Sequence, residues 1–316
     1  MKSYQKKIDD ISKIAMWGPS GSGKSWLIHA FGKTLLKYSM TDTDFLYEIT
    51  DKDGRPLDFY SLPNVKPTAT IEDQTFLFRR RGKKISEAHR ISSHSHHISI
   101  VDNKGSSLSS LSDMATFTSL MDSPNIILLL DTSLQQREHF LHIESGADKE
   151  DLFDIDSDPP ILFTPEEYKS LVAKLLQLLS KSISGERHIA VCLTKVDLLR
   201  VRGRNPTELV RMFFGADMYS LFREYSSIPN INIEFFSVSS AGFIRDSNEI
   251  KSNFDFSTGN LLKTDMWEPF NVEAPFFWFF ENIERKRIAE SGGLFASKLF
   301  GNSRLKNYIP YPIRRF

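Results

Sequence analysis

Gly18-Pro19-Ser20-Gly21-Ser22-Gly23-Lys24-Ser25 follows directly on the apolar run Lys13 to Trp17. The stretch satisfies the phosphate-binding pattern GxxxxGK[ST] at every required position, between a predicted strand and a predicted helix. The glycines let the backbone wrap a phosphate with its N–H groups. Lys24 reaches the terminal phosphates as a mobile cation, and the Ser25 hydroxyl can ligate Mg²⁺. The expected nucleotide contacts are Gly18, Ser20, Gly21, Ser22, Gly23, Lys24, Ser25 and Trp26, with Lys24 also acting in catalysis. A chance glycine-rich turn is the competing reading, and the flanking strand and helix weigh against it. The pattern alone does not choose between ATP and GTP, nor between kinase, transporter and switch.

Working outward, strand-like segments recur at Gln74 to Arg80, His97 to Val101, Asn125 to Asp131, His188 to Leu193 and Asn232 to Val238. Helical segments lie between them, an order that predicts an α/β fold with a mostly parallel central sheet between two helical layers. Thr164-Pro165-Glu166-Glu167 is a capping box with proline at the first helical position, and Asn205-Pro206-Thr207-Glu208 resembles it. Tyr168, Leu171, Val172, Leu175, Leu176 and Leu179 then follow helical spacing and predict a core-facing stripe. Val272 to Glu290 is predicted as a last helix, with Pro275 in its first turn. Three segments exceed a minimal α/β domain: about 41–62, 134–163 and 243–271. The first contains Asp53-Gly54 between strand-like flanks and predicts a hairpin. The expected organisation is one nucleotide-binding domain over 1–291 and a basic, aromatic tail over 292–316.

Lys plus Arg and Asp plus Glu stand at 40 each, so no net field gathers nucleic acid, and none is expected as a partner. The one cysteine, Cys192, cannot form an internal disulfide, and no apolar h-region precedes the glycine-rich stretch. The expected location is cytoplasmic. The tail from 294 to 316 has Lys298, Arg304, Lys306, Arg314 and Arg315 interleaved with Phe295, Leu299, Phe300 and Tyr308, and no acidic residue. It reads either as a contact for a partner protein or a membrane surface, or as a segment that packs back on its own domain.

The run His97-Ile98-Ser99-Ile100-Val101-Asp102 ends a strand in a carboxylate, where an acid holds a Mg²⁺-bound water beside the phosphate loop. With Asn103, Lys104 and Gly105 it makes an Asp-x-x-Gly pattern. Here the chain begins to resemble the P-loop GTPases of the TRAFAC class, with a Ras- or Arf-like core, in which that glycine donates its N–H to the γ-phosphate. Thr194-Lys195-Val196-Asp197, behind another strand, matches the family's guanine-specificity signature [NT]KxD. A carboxylate there accepts two hydrogen bonds from guanine N1–H and the exocyclic amine, a pair adenine does not offer. The resemblance implies that Asp197 reads the base, that Lys195 lays its stem over it, and that Thr194 binds across to the phosphate loop. Ser239-Ser240-Ala241 resembles the family's Ser-Ala element, whose backbone supports guanine O6. For the switch threonine that caps Mg²⁺ beside Ser25 and Asp102, Thr68 in Lys66-Pro67-Thr68 is the choice, with Thr70 the alternative. The four motifs occur in the family's order over residues 13–242.

The departures carry information. Ras-like and translational GTPases place Gln or His after the Asp-x-x-Gly glycine to orient the attacking water, and this chain has Ser106. With its long insertions it is more similar to divergent bacterial GTPases, including double-GTPase modules of conflict systems. Slow intrinsic hydrolysis is expected, with Arg79 to Arg81 or Arg90 as candidates for a missing charge. The Arg79–Lys84 run is otherwise a solvated hairpin tip. His94, His96 and His97 are weighed as a metal site or a catalytic base, against the simpler reading of a strand with histidines on both faces. The leading expectation is a GTP/GDP-bound, Mg²⁺-dependent switch that hydrolyses GTP and controls a protein effector or regulator, with self-association as an alternative mode. Its rival is a nucleotide-stabilised interaction module that does not hydrolyse, and a P-loop ATPase or kinase comes third.

Overall fold

In a computed structural model of the chain the described residues are 13–18, 21–42, 44–51, 53, 55, 72–82, 94–102, 120–135, 165–181, 185–198, 205–246, 249–255, 258–292 and 311; for 51, 72–77, 94–102, 134–135, 165 and 287–292 the description is of the backbone alone. The order is β1 (Lys13–Trp17), α1 (Lys24–Thr41), β2 (Phe45–Asp51), β3 (Glu72–Gly82), β4 (His94–Asp102) and β5 (Asn125–Asp131). A 3₁₀ turn (Thr132–Gln135), α2 (Pro165–Lys181), β6 (Arg187–Thr194), α3 (Pro206–Ser226) and β7 (Ile231–Ser237) follow. The short strands β8 (Phe243–Asp246), β9 (Glu249–Ser252), β10 (Phe254–Asp255) and β11 (Asn260–Leu261) precede α4 (Ala274–Gly292).

Alternation along the central strands dictates the layers. Ile14 and Met16 of β1, Ile127 and Leu129 of β5, and Ala190 and Cys192 of β6 join one apolar cluster. Their neighbours Ala15, Trp17, Ile126, Leu128, Leu130, Ile189, Val191 and Leu193 join another. Strands buried on both faces need helices over both. On the first side Phe31 of α1 stacks on Phe276 of α4, ring centroids 4.1 Å apart, and Phe78 of β3 stacks on Phe280 at 4.5 Å. On the second, Tyr168, Val172, Leu175, Leu176 and Leu179 of α2 meet Leu209, Val210, Phe214, Met218 and Phe222 of α3, so the predicted stripe is core. The result is the expected α/β/α sandwich.

The sheet order is β2-β3-β4-β1-β5-β6-β7. β4, β1, β5, β6 and β7 run parallel, whereas β3 is antiparallel to β4 and β2 to β3. β1 lies between β4 and β5, so successive crossovers depart to opposite sides of it. A crevice at the carboxyl ends of the strands is the place such a reversal prepares for a ligand.

Local signals explain the helix starts. Asn205 caps α3, its Oδ1 accepting Thr207 N–H at 2.9 Å, with Pro206 at the first helical position. Gly215, at φ 86° and ψ 162°, interrupts α3 midway, a break the periodicity does not reveal. The β2 strand pairs along its length with β3, Asp51 opposite Phe76; Gly54 and residues 56–71, on which the predicted hairpin falls, lie outside the described residues. One sequence reading changes: the Arg79–Arg81 run is not a solvated tip. Arg81 pairs with Glu48 on β2, while Arg80 is fully buried with its guanidinium 3.8 Å from the Tyr311 ring centroid and 4.9 Å from that of Phe45. Tyr311 is the part of the tail that is described. It packs on Phe277, Phe280 and Phe78, so at that residue the tail folds back on its own domain. No helix among the described residues is long and apolar enough to cross a membrane.

Candidate functional site

The carboxyl ends of β1, β4, β6 and β7 carry the predicted motifs, because parallel strands deliver their following loops to one edge. After β1 the chain turns through Gly21 (φ 74°) and Gly23 (φ 91°), left-handed conformations that a side chain would strain. A Cβ on Gly18 would stand 2.8 Å from both Leu129 Cβ and Ser22 Oγ, so the loop sits tight on β5. The α1 helix then begins with Gly23 at its cap, no side-chain cap bond and no acidic residue in its first turn. That helix end keeps the partial positive charge that suits a phosphate. Lys24 is buried, and its Nζ donates to Gly18 O at 3.1 Å across the turn. Ser22 is fully buried, and its Oγ has no partner among the described residues. Ser25 stands half-buried in the first turn of α1. The Trp26 indole packs edge-on against Phe254 and Trp267, each at 6.0 Å, which leaves its backbone N–H as its means of meeting a phosphate. Pro19 and Ser20 lie outside the described residues.

Beside this turn, Asp102 ends β4 opposite Met16 of β1. Thr68, Thr70, Gly105 and Ser106 lie outside the described residues. Register also disposes of two earlier candidates. β3 runs antiparallel to β4, with Glu72 opposite Asp102 and Arg80 opposite His94. Arg79 to Arg81 therefore lie at the far end of the sheet, on the order of 25 Å from Asp102 at ~3.3 Å per residue. His94, His96 and His97 are likewise five to eight residues up β4 from Asp102. None of these can supply a charge or a base to the phosphate end. Arg90 is outside the described residues.

The second corner is a network of side chains. Lys195, at φ 58°, donates from Nζ to Asp131 Oδ2 at 2.8 Å and to Ser133 Oγ at 3.3 Å. The fully buried Asp131 carboxylate also accepts Ser133 N–H at 2.9 Å and Ser133 Oγ–H at 2.6 Å. The Lys195 ammonium is thus anchored at the end of β5. Thr132 Oγ1 donates to Thr194 O at 2.8 Å, fastening the same loop to β5. The Thr194 hydroxyl donates to Leu130 O at 3.5 Å on the adjacent strand, not toward the phosphate loop as the resemblance implied.

Asp197 is 3% exposed. Burial pushes its carboxyl up from the ordinary aspartate range, opposed by hydrogen bonds from Ser239 and Ser252 and by the charge of Lys195. Ser239 is tied by both backbone groups to Phe270, and Ser240 O accepts Trp267 Nε1–H at 2.7 Å. Ala241 is buried beside them. Gly242, at φ 78°, passes so close to Glu268 O that no side chain fits. Sequence reasoning missed Asp131, Ser133 and Ser252. The signal for Asp131 was present, an acid closing an apolar strand at the sheet's carboxyl edge; Ser252 had none.

No family model matches the chain, and no curated protein matches it. Solved structures similar in fold include a chain of the signal recognition particle receptor SRb-GTP/SRX complex from Chaetomium thermophilum. That chain is 13% identical with a TM-score of 0.37, and the similarity covers 75% of this chain and 93% of the other. The GTPase-like domain of S. cerevisiae Ski7 bound to GTP is similar at 13% identity and a TM-score of 0.36, over 75% of this chain and 45% of that one.

Proposed function

We propose that this chain is a guanine-nucleotide-binding switch of the P-loop GTPase type, with slow Mg²⁺-dependent GTP hydrolysis, that controls a protein partner. The observation that supports this most is a convergence. The glycine-rich turn 18–23, the loop of Thr194 to Asp197 and the loop of Ser239 to Gly242 lie at the same edge of one parallel sheet, and the last two share a carboxylate. In this reading Lys24 exchanges Gly18 O for phosphate oxygens, and the N–H groups of the turn and of the first helical residues take the remainder. Asp197 accepts the two donors of guanine, the Lys195 stem lies on the base, and the N–H groups of Ser240 and Ala241 support O6. Ser25 and Asp102, with Thr68 or Thr70, would hold Mg²⁺, which when bound neutralises charge between the β- and γ-phosphates. Gly105 would donate to the γ-phosphate, and the segments around Thr68 and 102–112 would form the surface a partner reads.

The register of β3 and β4 favours slow turnover, since it removes Arg79 to Arg81 and the three histidines from the reaction. A rate on the order of 10⁻⁴ to 10⁻² s⁻¹ is expected of the isolated chain. The same observation keeps the non-hydrolysing interaction module as a second reading. Competition against labelled GDP tests the base: GTP and GDP compete well and ATP poorly, and equal competition by ATP refutes the guanine assignment. Single-turnover hydrolysis at several protein concentrations separates the two readings. Acceleration by self-association or by a partner supports the switch, and no turnover under any condition supports the module.

A further inference from the structure

Two serines from separate segments meet the Asp197 carboxylate. Ser239 Oγ, in the loop after β7, accepts Gly242 N–H at 2.7 Å; Ser252 Oγ, at the end of β9, accepts Phe254 N–H at 3.0 Å. A hydroxyl whose oxygen is held by a backbone amide has its one proton left to aim elsewhere. In both residues it is aimed at Asp197. Ser252 Oγ lies 2.5 Å from Oδ2, and Ser239 makes a side-chain hydrogen bond to the same carboxylate. An ionised carboxylate offers about four lone-pair positions. The two serines and the N–H of Asp197 itself occupy part of this capacity, and the rest is left for guanine N1–H and the exocyclic amine.

Ser252 is also held firmly in place. The next residue, Asn253, is fully buried: its N–H donates to Gly242 O at 3.1 Å, Nδ2 donates to Lys263 O at 3.0 Å, and Oδ1 accepts Lys263 N–H at 2.9 Å. Ser239 and Phe270 exchange both backbone hydrogen bonds, at 3.0 and 2.8 Å. The segment 243–271 is thereby pinned at its start, its middle and its end to the loop that carries Ser239. A hydroxyl so fixed restrains the carboxylate and does not swing aside as a gate would.

We propose that Ser252 is a positioning residue for guanine recognition, acting through Asp197, so that the inserted ribbon and not the sheet alone sets base specificity. The inference rests on the guanine-nucleotide reading above. A carboxylate held in one rotamer before the base arrives loses little side-chain freedom on binding. Any displacement of the ribbon then weakens guanine selectively.

The test is equilibrium competition of GDP, inosine diphosphate and ADP against labelled GDP, with the full chain and Ser252 variants. Inosine diphosphate lacks the exocyclic amine, and ADP lacks both donors. Ser252→Ala is expected to weaken GDP about tenfold, since a hydrogen bond to a charged group is involved. It also narrows the preference for GDP over inosine diphosphate and leaves ADP, held through its phosphates, unchanged. Ser252→Thr keeps the hydroxyl and restores GDP binding. Ser252→Cys, near in size but a weak donor, narrows the preference in the same direction and covers the case of an unstable alanine variant. Equal weakening of all three nucleotides would make Ser252 mere scaffold and overturn the proposal. Unchanged GDP affinity overturns it too, as does tighter GDP binding, which would make Ser252 a competitor for the carboxylate. If the unaltered chain binds ADP as tightly as GDP, the guanine reading itself has failed, whatever the variants do.

Discussion

The phosphate corner and the base corner stand at one edge of one sheet, yet they are built by different means. At the phosphate corner the residues are contiguous from Gly18 to Trp26, and the work is done by backbone: two left-handed glycines and an uncapped helix end. Its one buried cation, Lys24, rests on a carbonyl oxygen. At the base corner the parts come from β5, β6, β7 and the ribbon, and side chains do the holding. Asp131 and Asp197 are both buried carboxylates, each needing donors brought from elsewhere in the chain. The first corner can lose its cation and keep its shape; the second cannot. Buried charge makes recognition and stability one problem wherever the partner residues are also the framework.

Two lysine variants break this comparison most directly. Lys24→Ala is expected to lower affinity for every nucleotide by about a hundredfold or more, through loss of a charge-assisted phosphate contact. Circular dichroism and the melting curve stay close to those of the parent. Lys195→Ala leaves the Asp131 carboxylate buried without its cation, and should cost about 3 kcal/mol of stability in urea titration, with part regained by adding Asp131→Asn. If both variants melt alike, the two corners do not differ as described.

Asp197→Asn gives a smaller and more selective effect. An amide presents one acceptor and one donor group where guanine needs two acceptors. GDP should weaken by about ten- to thirtyfold, and ADP should not change. Loss of ADP in parallel would mean that the substitution has disturbed the phosphate corner as well. It would also show that the corners are not separable.

Legibility in the sequence follows the same division. Gly18 to Ser25 was readable because a phosphate loop is local, its chemistry fixed by consecutive backbone groups. The central strands were readable because burial on both faces leaves unbroken apolar runs, as in Asn125 to Asp131. Thr194 to Asp197 was readable as a motif, but what holds it was not. Ser252 meets Asp197 across 55 positions, and no spacing marks a serine as the donor to a remote carboxylate. Arg80 was misread for a related reason. A run of arginines defaults to solvent until rings from distant segments, here Phe45 and Tyr311, enclose one of them. The stretch before Asp53-Gly54 read only as a strand-like flank within an insertion, because its antiparallel place on β3 is a tertiary choice.

The smallest expected effect is a pH dependence in which stability and recognition move in opposite directions. Burial raises the Asp197 carboxyl above its ordinary value near 3.8, so the folded chain holds this proton more tightly than the unfolded chain does. Between the ordinary and the raised value the folded state carries more protons, and linkage then requires stability to fall as pH rises. The contribution is fully present below the ordinary value and is lost through the raised one. Other carboxylates ionise in the same range, among them Asp246, which Lys251 shifts the opposite way. The measurement is therefore the difference between the parent and Asp197→Asn in urea titrations from about pH 4 to 7, with a change on the order of 1 kcal/mol. Guanine recognition follows the other sign. A protonated carboxyl has one acceptor oxygen fewer to offer, so the ratio of GDP to ADP affinity should rise over the same interval, phosphate ionisation cancelling between the two nucleotides. In Asp197→Asn both trends should flatten, whereas Lys24→Ala should leave the stability trend intact. A parent chain whose stability difference and GDP preference rise together would show that Asp197 is not the group that titrates, and the buried carboxylate would lose its place in base recognition.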